Sequence, residues 1–176
     1  MQTHSLHTSE DHFRVFLACP ITDLLDPQKG NLPSHYETFI KCLHAFLKQR
    51  SDSVFLALER EEWGANLMEA EICTPLDYKE MQACTAVVAY PGESRGVAVE
   101  LGWASALRKP LILLLEEGVS YTPMIDGLDR LPNLVVHKLR IPFNGHSWDL
   151  EAISPELDSL LASIRLQKVD PAKLAI

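Results

Sequence analysis

The sequence predicts an α/β domain built on a doubly wound, mostly parallel five-stranded sheet with helices on both faces. Two observations carry this reading. Hydrophobic periodicity switches repeatedly between short continuous apolar runs and helical spacing, the pattern of strands alternating with helices. The runs themselves, Val15 to Ala18, Val54 to Leu58, Ala86 to Tyr90, Leu111 to Leu115 and Leu134 to Val136, are apolar at consecutive positions, as strands covered on both faces require. A length of 176 residues fits one domain that buries a full core without staples. Residues 13–168 are expected to form it, with a flexible segment at 1–12 and a tail at 169–176.

The helices follow from caps and spacing. Ser34, with Glu37 three residues on, makes a capping box ahead of Tyr36, Phe39, Ile40, Leu43, Phe46 and Leu47, which predicts a helix from about Pro33 to Gln49. A second is expected to begin at Thr74-Pro75 and run through Met81 to Cys84. A third follows the loop Pro91 to Gly96, and its small residues Ala98, Gly102 and Ala106 recur every four positions, which would allow a close neighbour. The last is expected from Ser154-Pro155, burying Leu157, Leu160, Leu161 and Ile164. The stretch Asp23 to Pro33 reads as a loop at the C-terminal end of the first strand, where open α/β sheets bind ligands.

Composition excludes several function classes. Sixteen Lys and Arg against 24 Asp and Glu give a net charge of −8, which argues against a nucleic-acid groove binder. The longest aliphatic run, Leu111 to Leu115, falls far short of the roughly 20 residues of a membrane span. The polar, His-bearing start lacks the pattern of a signal peptide, so a soluble, cytoplasmic protein is expected. Cys19, Cys42, Cys73 and Cys84 stand far apart and are read as reduced, mostly buried thiols. Neither they nor the seven scattered histidines suggest a metal, and no cofactor is implied.

The chemistry concentrates in Ala86 to Ala104: a strand, a loop with Gly92 and Gly96, then a helix. Amides at the start of that helix, Gly96 among them, together with the Ser94 hydroxyl, can cradle an anion. Glu100 lies between Val99 and Leu101 in a helix otherwise built of Val, Ala, Leu, Gly and Trp. A carboxylate placed in such surroundings is costly unless used. Asp77 is a second candidate, since it would face the same crevice if its segment is adjacent. Two carboxylates there suit glycosidic-bond cleavage, one attacking the anomeric carbon while the other handles protons. Asp77 serving as a helix cap and Glu100 on a solvent stripe are the structural alternatives. Trp63, in Glu59 to Gly64, could stack on a planar base or simply pack in an acidic loop. A rival reading takes Gly92-x-Ser94-x-Gly96 as a nucleophile elbow, with Asp126 or Asp129 and His137 or His146 completing a triad. It leaves Glu100 unexplained.

Three segments together resemble the nucleoside 2-deoxyribosyltransferase superfamily: Phe16-Leu-Ala-Cys-Pro-Ile; Asp77 followed eight residues later by Thr85 and Val-Val-Ala; and Ser94-x-Gly-x-x-x-Glu100-Leu-Gly-Trp-Ala, continuing to Lys109-Pro110. The resemblance spans roughly Val15 to Leu128. It implies a flavodoxin-like fold that binds a nucleoside, a nucleophile at Glu100 that forms a glycosyl ester, and a helper at Asp77 for the proton and base. Phe16, Pro20 and Trp63 would contact base or sugar. The superfamily has a transferase branch, which exchanges bases on free deoxynucleosides, and a hydrolase branch acting on nucleoside 5′-monophosphates. Ser94, six residues before Glu100, matches the phosphate-binding Ser of the 2′-deoxynucleoside 5′-phosphate N-hydrolases and cytidylate hydrolases, where transferases carry an acid. Thr122-Pro-Met124-Ile-Asp-Gly resembles the hydrolases' Ser-x-Met-Ile-x-Gly, whose hydroxyl reaches the phosphate of the neighbouring subunit's site.

The sequence also departs from the family. It has Phe16 for the first-strand Tyr, Thr85 for the customary Asp, and Cys19-Pro-Ile-Thr22 for the hydrolases' Gly-Ser-Ile-Arg, which leaves Thr22 or Arg95 to replace that Arg. The resemblance thus implies a homodimer or higher homo-oligomer that cleaves a nucleoside 5′-monophosphate with no metal, acting on neither nucleic acid nor membrane. Base exchange on free nucleosides is the alternative, and a non-catalytic nucleotide sensor a further one.

Overall fold

A computed structural model describes residues 12–26, 28 and 30–169. The terminal segments expected at 1–12 and 169–176 lie outside these residues except for His12 and Val169. Five strands form one sheet: β1 (Arg14–Ala18), β2 (Ser53–Phe55), β3 (Ala86–Ala89), β4 (Leu111–Glu116) and β5 (Val136–Ile141). Their order is β2-β1-β3-β4-β5 and every pairing is parallel. The helices are α1 (Ser34–Lys48), α2 (Ala57–Arg60), α3 (Ala70–Ala83), α4 (Arg95–Ala106), α5 (Pro123–Asp126) and α6 (Leu150–Val169). This is the expected flavodoxin-like α/β architecture.

Strand alternation splits the core into two layers. Val15, Leu17, Val88, Ile112 and Leu114 meet Leu43 and Leu47 of α1 and Leu157 and Leu161 of α6 on one face. Phe16, Ala18, Val87, Leu111 and Leu113 meet Met81 of α3 and Val97, Leu101 and Ala104 of α4 on the other. Burial on both faces explains why these strands are apolar throughout.

Several boundaries differ from the expectation. The run Val54 to Leu58 is only a three-residue strand, because β2 is an edge paired to β1 alone and the chain turns into α2 with Leu56 and Leu58 still in the core. The last strand is Val136–Ile141 and not Leu134 to Val136: as the other edge it is half exposed, so polar His137, Lys138 and Arg140 interrupt its apolar pattern. Pro33, not Ser34, precedes α1 and no side chain caps it; Glu37 pairs with Lys41 instead of closing a capping box. Both Pro75 and Pro155, taken as helix starts, lie inside helices that begin at Ala70 and Leu150. Each is the sixth residue of its helix, past the first turn, so each removes one backbone hydrogen bond of its helix. The true cap of α6 is Asp149, whose carboxylate accepts from the Ala152 amide at 3.1 Å.

Ala98, Gly102 and Ala106 of α4 are exposed, and a Cβ on Gly102 would meet nothing within 4 Å. The close neighbour inferred from their spacing is therefore not another described element of this chain. Two of the four cysteines, Cys19 and Cys84, are buried; Cys42 is exposed and Cys73 half-buried, and all four are free thiols. Thr85 stitches the sheet at its N-terminal edge: its hydroxyl accepts from the Arg14 amide and donates to the His12 carbonyl, both at 3.1 Å. Among the described residues no helix is long and apolar enough to cross a membrane.

Candidate active site

The parallel sheet delivers the ends of β1, β2, β3 and β4 to one edge, and the segments that follow those strands hold the candidate groups. Two sets of residues gather there. The first surrounds Glu100. Its carboxyl is pushed up to about 8, first by desolvation and then by the Asp77 carboxylate, with the Arg60 guanidinium pulling the other way. Asp77 is raised too, again first by desolvation, against hydrogen bonding and charge from Arg60. The side chains of Arg60 and Asp77 are only 21% and 15% exposed, and Arg60 donates through Nη1 to Asp77 Oδ1 and through Nη2 to Glu61 Oε1 at 2.9 Å. Arg60 Nε is buried without a partner. The ion pair with Arg60 favours the ionised form of Asp77, while burial and the Asp77 charge favour the protonated form of Glu100. Burial raises the Cys19 thiol to about 12, so it stays protonated.

The second set lines a cleft of about 920 Å³, with Pro20, Asp23, Ser94, Arg95, Thr122 and Met124 among its walls. Ser94 caps α4, accepting from the Val97 amide at 3.4 Å, and its hydroxyl donates to Asp23 Oδ2 at 2.9 Å. Arg95 Nη2 donates to Asp23 Oδ1 at 3.3 Å. Thr122 precedes α5 and its hydroxyl does not cap that helix, while Met124 is 82% exposed. Deeper in the cleft Glu116 Oε1 accepts from the Tyr90 hydroxyl at 2.6 Å, and Tyr36 and Trp148 complete an aromatic wall. Glu100 stands six positions after Ser94, about 9 Å along the helix axis.

The remaining sequence candidates take different places. Phe16 is 1% exposed, packed in the core with its ring 4.9 Å from that of Phe55, over which Arg60 lies at 5.6 Å. At 1% exposure its ring has no face free for a base, which corrects the role expected of it. Trp63 belongs to the turn after α2 and lies under Lys41 Nζ, 4.7 Å from the ring centroid. Both Glu62 and Trp63 have positive φ, 50° and 60°, an arrangement costly for side chains of this size. Gly64 completes the turn at φ +94°, where an added Cβ would stand 2.6 Å from Leu25 Cδ2. Gly64→Ala should therefore cost about 1–3 kcal/mol, read as a lowered midpoint in thermal or denaturant unfolding. Thr22 is exposed in the turn after Pro20, and Gly96 is exposed in the first turn of α4, where its amide has no intrahelical carbonyl to meet. Ser94 donates to a carboxylate and not to an imidazole, and His137 sits within β5 beside Ile112, so the triad arrangement is not formed.

Sequence reading missed Arg60 and Asp23. Arg60 hid in the charged run Glu59-Arg-Glu-Glu, which reads as a solvated loop. Asp23 hid in a loop with no periodic pattern. Among the described residues no three His, Cys, Asp or Glu side chains gather to hold a metal ion.

No family model and no curated protein sequence matches the chain. Solved structures do. The chain is similar to the CMP N-glycosidase BcmB of Clostridium botulinum, at 30% identity and a TM-score of 0.59, over 84% of this chain and 98% of that one. It is also similar to BlsM, at 34% identity and a TM-score of 0.69, over 92% of this chain and 97% of the other.

Proposed function

The chain belongs to the nucleoside 2-deoxyribosyltransferase superfamily, and from that premise we propose that it cleaves the N-glycosidic bond of a nucleoside 5′-monophosphate, releasing free base and a (deoxy)ribose 5-phosphate. The observation that carries the reading is Glu100: a desolvated carboxyl beside a second carboxylate whose charge is held by a buried arginine. Likeness to a CMP N-glycosidase over nearly the whole of that protein supports the choice of a nucleotide.

The proton on Glu100 defines the first step. It passes to the departing base, directly or through Asp77, and leaves Glu100 as a carboxylate in a site that solvates it poorly. That carboxylate attacks C1′; the C1′–O bond forms as the C1′–N bond breaks, and the bonding pair goes to the protonated base. Water then attacks C1′, the ester C–O bond breaks, Glu100 recovers its electron pair, and Asp77 takes the water's proton and returns it to Glu100. Arg60 keeps Asp77 ionised until it is needed. Ser94, the Gly96 amide and Thr122 hold the phosphate, with Pro20, Thr22 and Met124 bordering the sugar phosphate and Trp63 the base. A helix N-terminus binds one phosphate whatever the net charge of the whole surface.

Thr122 and Met124 point to a homodimer in which the partner subunit's Thr122 completes each site. The exposed face of α4, with Ala98, Val99 at 53% exposure and Gly102, supplies a surface for it. Sedimentation of a monomer at micromolar concentration would contradict this assembly.

Ser94→Ala should raise KM for nucleotides by about tenfold, with a smaller change in kcat, in a chromatographic assay of base release. The same assay run with a second free base tests the transferase alternative, because a new nucleoside product would place the chain in the base-exchange branch. Covalent labelling of Ser94 by a fluorophosphonate would revive the serine-hydrolase reading. Nucleotide binding in calorimetry with no base released over long incubation would indicate a sensor.

A further inference from the structure

Asp23 stands where the proposed phosphate should bind. Its carboxylate takes the only proton that the Ser94 hydroxyl can donate, at 2.9 Å, and one N–H of Arg95, at 3.3 Å. These are two of the donors available to a phosphate at the start of α4. The Ser94 oxygen is fixed as the helix cap, so the hydroxyl cannot swing to serve two acceptors. Asp23 is ionised: its pKa is lowered, chiefly by the Ser94 hydrogen bond and further by Arg95. A phosphate bound beside it would set two anions on one hydroxyl. The pair is nevertheless easily broken. The side chain of Asp23 is 28% exposed and that of Arg95 94% exposed, and ion pairs at such a boundary hold weakly.

We propose that Asp23 is a resident counter-anion of the phosphate subsite, which holds Ser94 and Arg95 ready and is displaced when the 5′-phosphate of the substrate binds. The proposal rests on the nucleotide reading above. It makes Asp23 a specificity-determining residue: a free nucleoside leaves the carboxylate in place, whereas a nucleotide exchanges it for a group with more acceptor oxygens and more charge. Phosphate affinity is then the difference between two anions for one set of donors.

Calorimetric titration of the full chain with inorganic phosphate, ribose 5-phosphate and ribose tests this. Asp23→Asn, which keeps shape and loses charge, and Asp23→Ala should both bind the two phosphates about tenfold more tightly than the native chain. Ser94→Ala should bind them more weakly. Unchanged or weaker phosphate binding by both Asp23 variants, or no measurable phosphate binding by any variant, overturns the proposal. So does a loss of ribose binding in the Asp23 variants without phosphate gain, which would make the carboxylate a reader of sugar hydroxyls. None of these titrations needs turnover. Failure of the native chain to release base from any nucleotide would sink the glycosidase reading and leave the role of Asp23 still decided.

Discussion

Glu100→Gln is expected to release base at least about a thousandfold more slowly than the native chain and yet, above pH 8, to be the more stable protein. The rate loss follows from removing the nucleophile, since an amide cannot form the ester. The stability gain follows from proton linkage. Glu100 is raised from 4.5 to about 8 in the folded chain, so between those values the native state holds a proton that the unfolded state has released. Native stability therefore falls as pH rises through that window, and the full penalty is present above it. Each pKa unit is worth about 1.4 kcal/mol, which makes the ionised carboxylate costly by a few kcal/mol. The variant has no such charge, so its advantage should be absent below pH 4.5, grow through the window and level off above pH 8. Urea unfolding at pH 5, 7 and 9 reads this directly. In the active enzyme this proton is the one the departing base receives, so kcat/KM should show an alkaline limb, falling as pH rises past about 8. A kcat/KM that does not fall between pH 7 and 10, together with equal stabilities of the two proteins at pH 9, would remove the electrostatic basis of the mechanism.

Arg60→Met is the second large effect. It removes the cation from between Asp77 and Glu61, both mostly buried, and leaves two carboxylates with no partner of opposite charge. Breaking a buried pair in this way typically costs about 3 kcal/mol or more. Arg60 also opposes the upward shift of both Asp77 and Glu100, so its loss should move the alkaline limb of kcat/KM to higher pH. Arg60→Lys keeps the charge but loses the two-pronged donation, and should restore the pH profile better than the stability. A structural role alone would lower stability and leave the limb where it was.

Glu100 was legible in the sequence because a single charge inside Val99-Glu-Leu-Gly-Trp contradicts its surroundings, and such contradictions are rare outside functional sites. Arg60 is the opposite case. Its neighbours are charged, so nothing local distinguishes a buried arginine from a solvated one, and only the packing of α2 on Phe55 and against α3 buries it. Asp77 was legible as a carboxylate but its setting was not, because Pro75 suggested a helix start where α3 in fact runs on from Ala70. The central strands β1, β3 and β4 were readable from continuous apolar runs, whereas the edges β2 and β5 were not, since one-sided pairing and partial exposure blur the pattern. Phe16 shows the limit of transfer by resemblance: its position in the motif suggested contact with substrate, but strand alternation turns its ring into the α3–α4 layer.

The central claim, cleavage through a glycosyl ester on Glu100, is tested most directly by trapping. The native chain is incubated with nucleoside 5′-monophosphates, quenched in acid and digested, while free base is followed by chromatography. Base release is expected together with a peptide carrying Glu100 and the added mass of a sugar phosphate. Undiminished base release by Glu100→Ala, or the adduct on any residue other than Glu100, would contradict it.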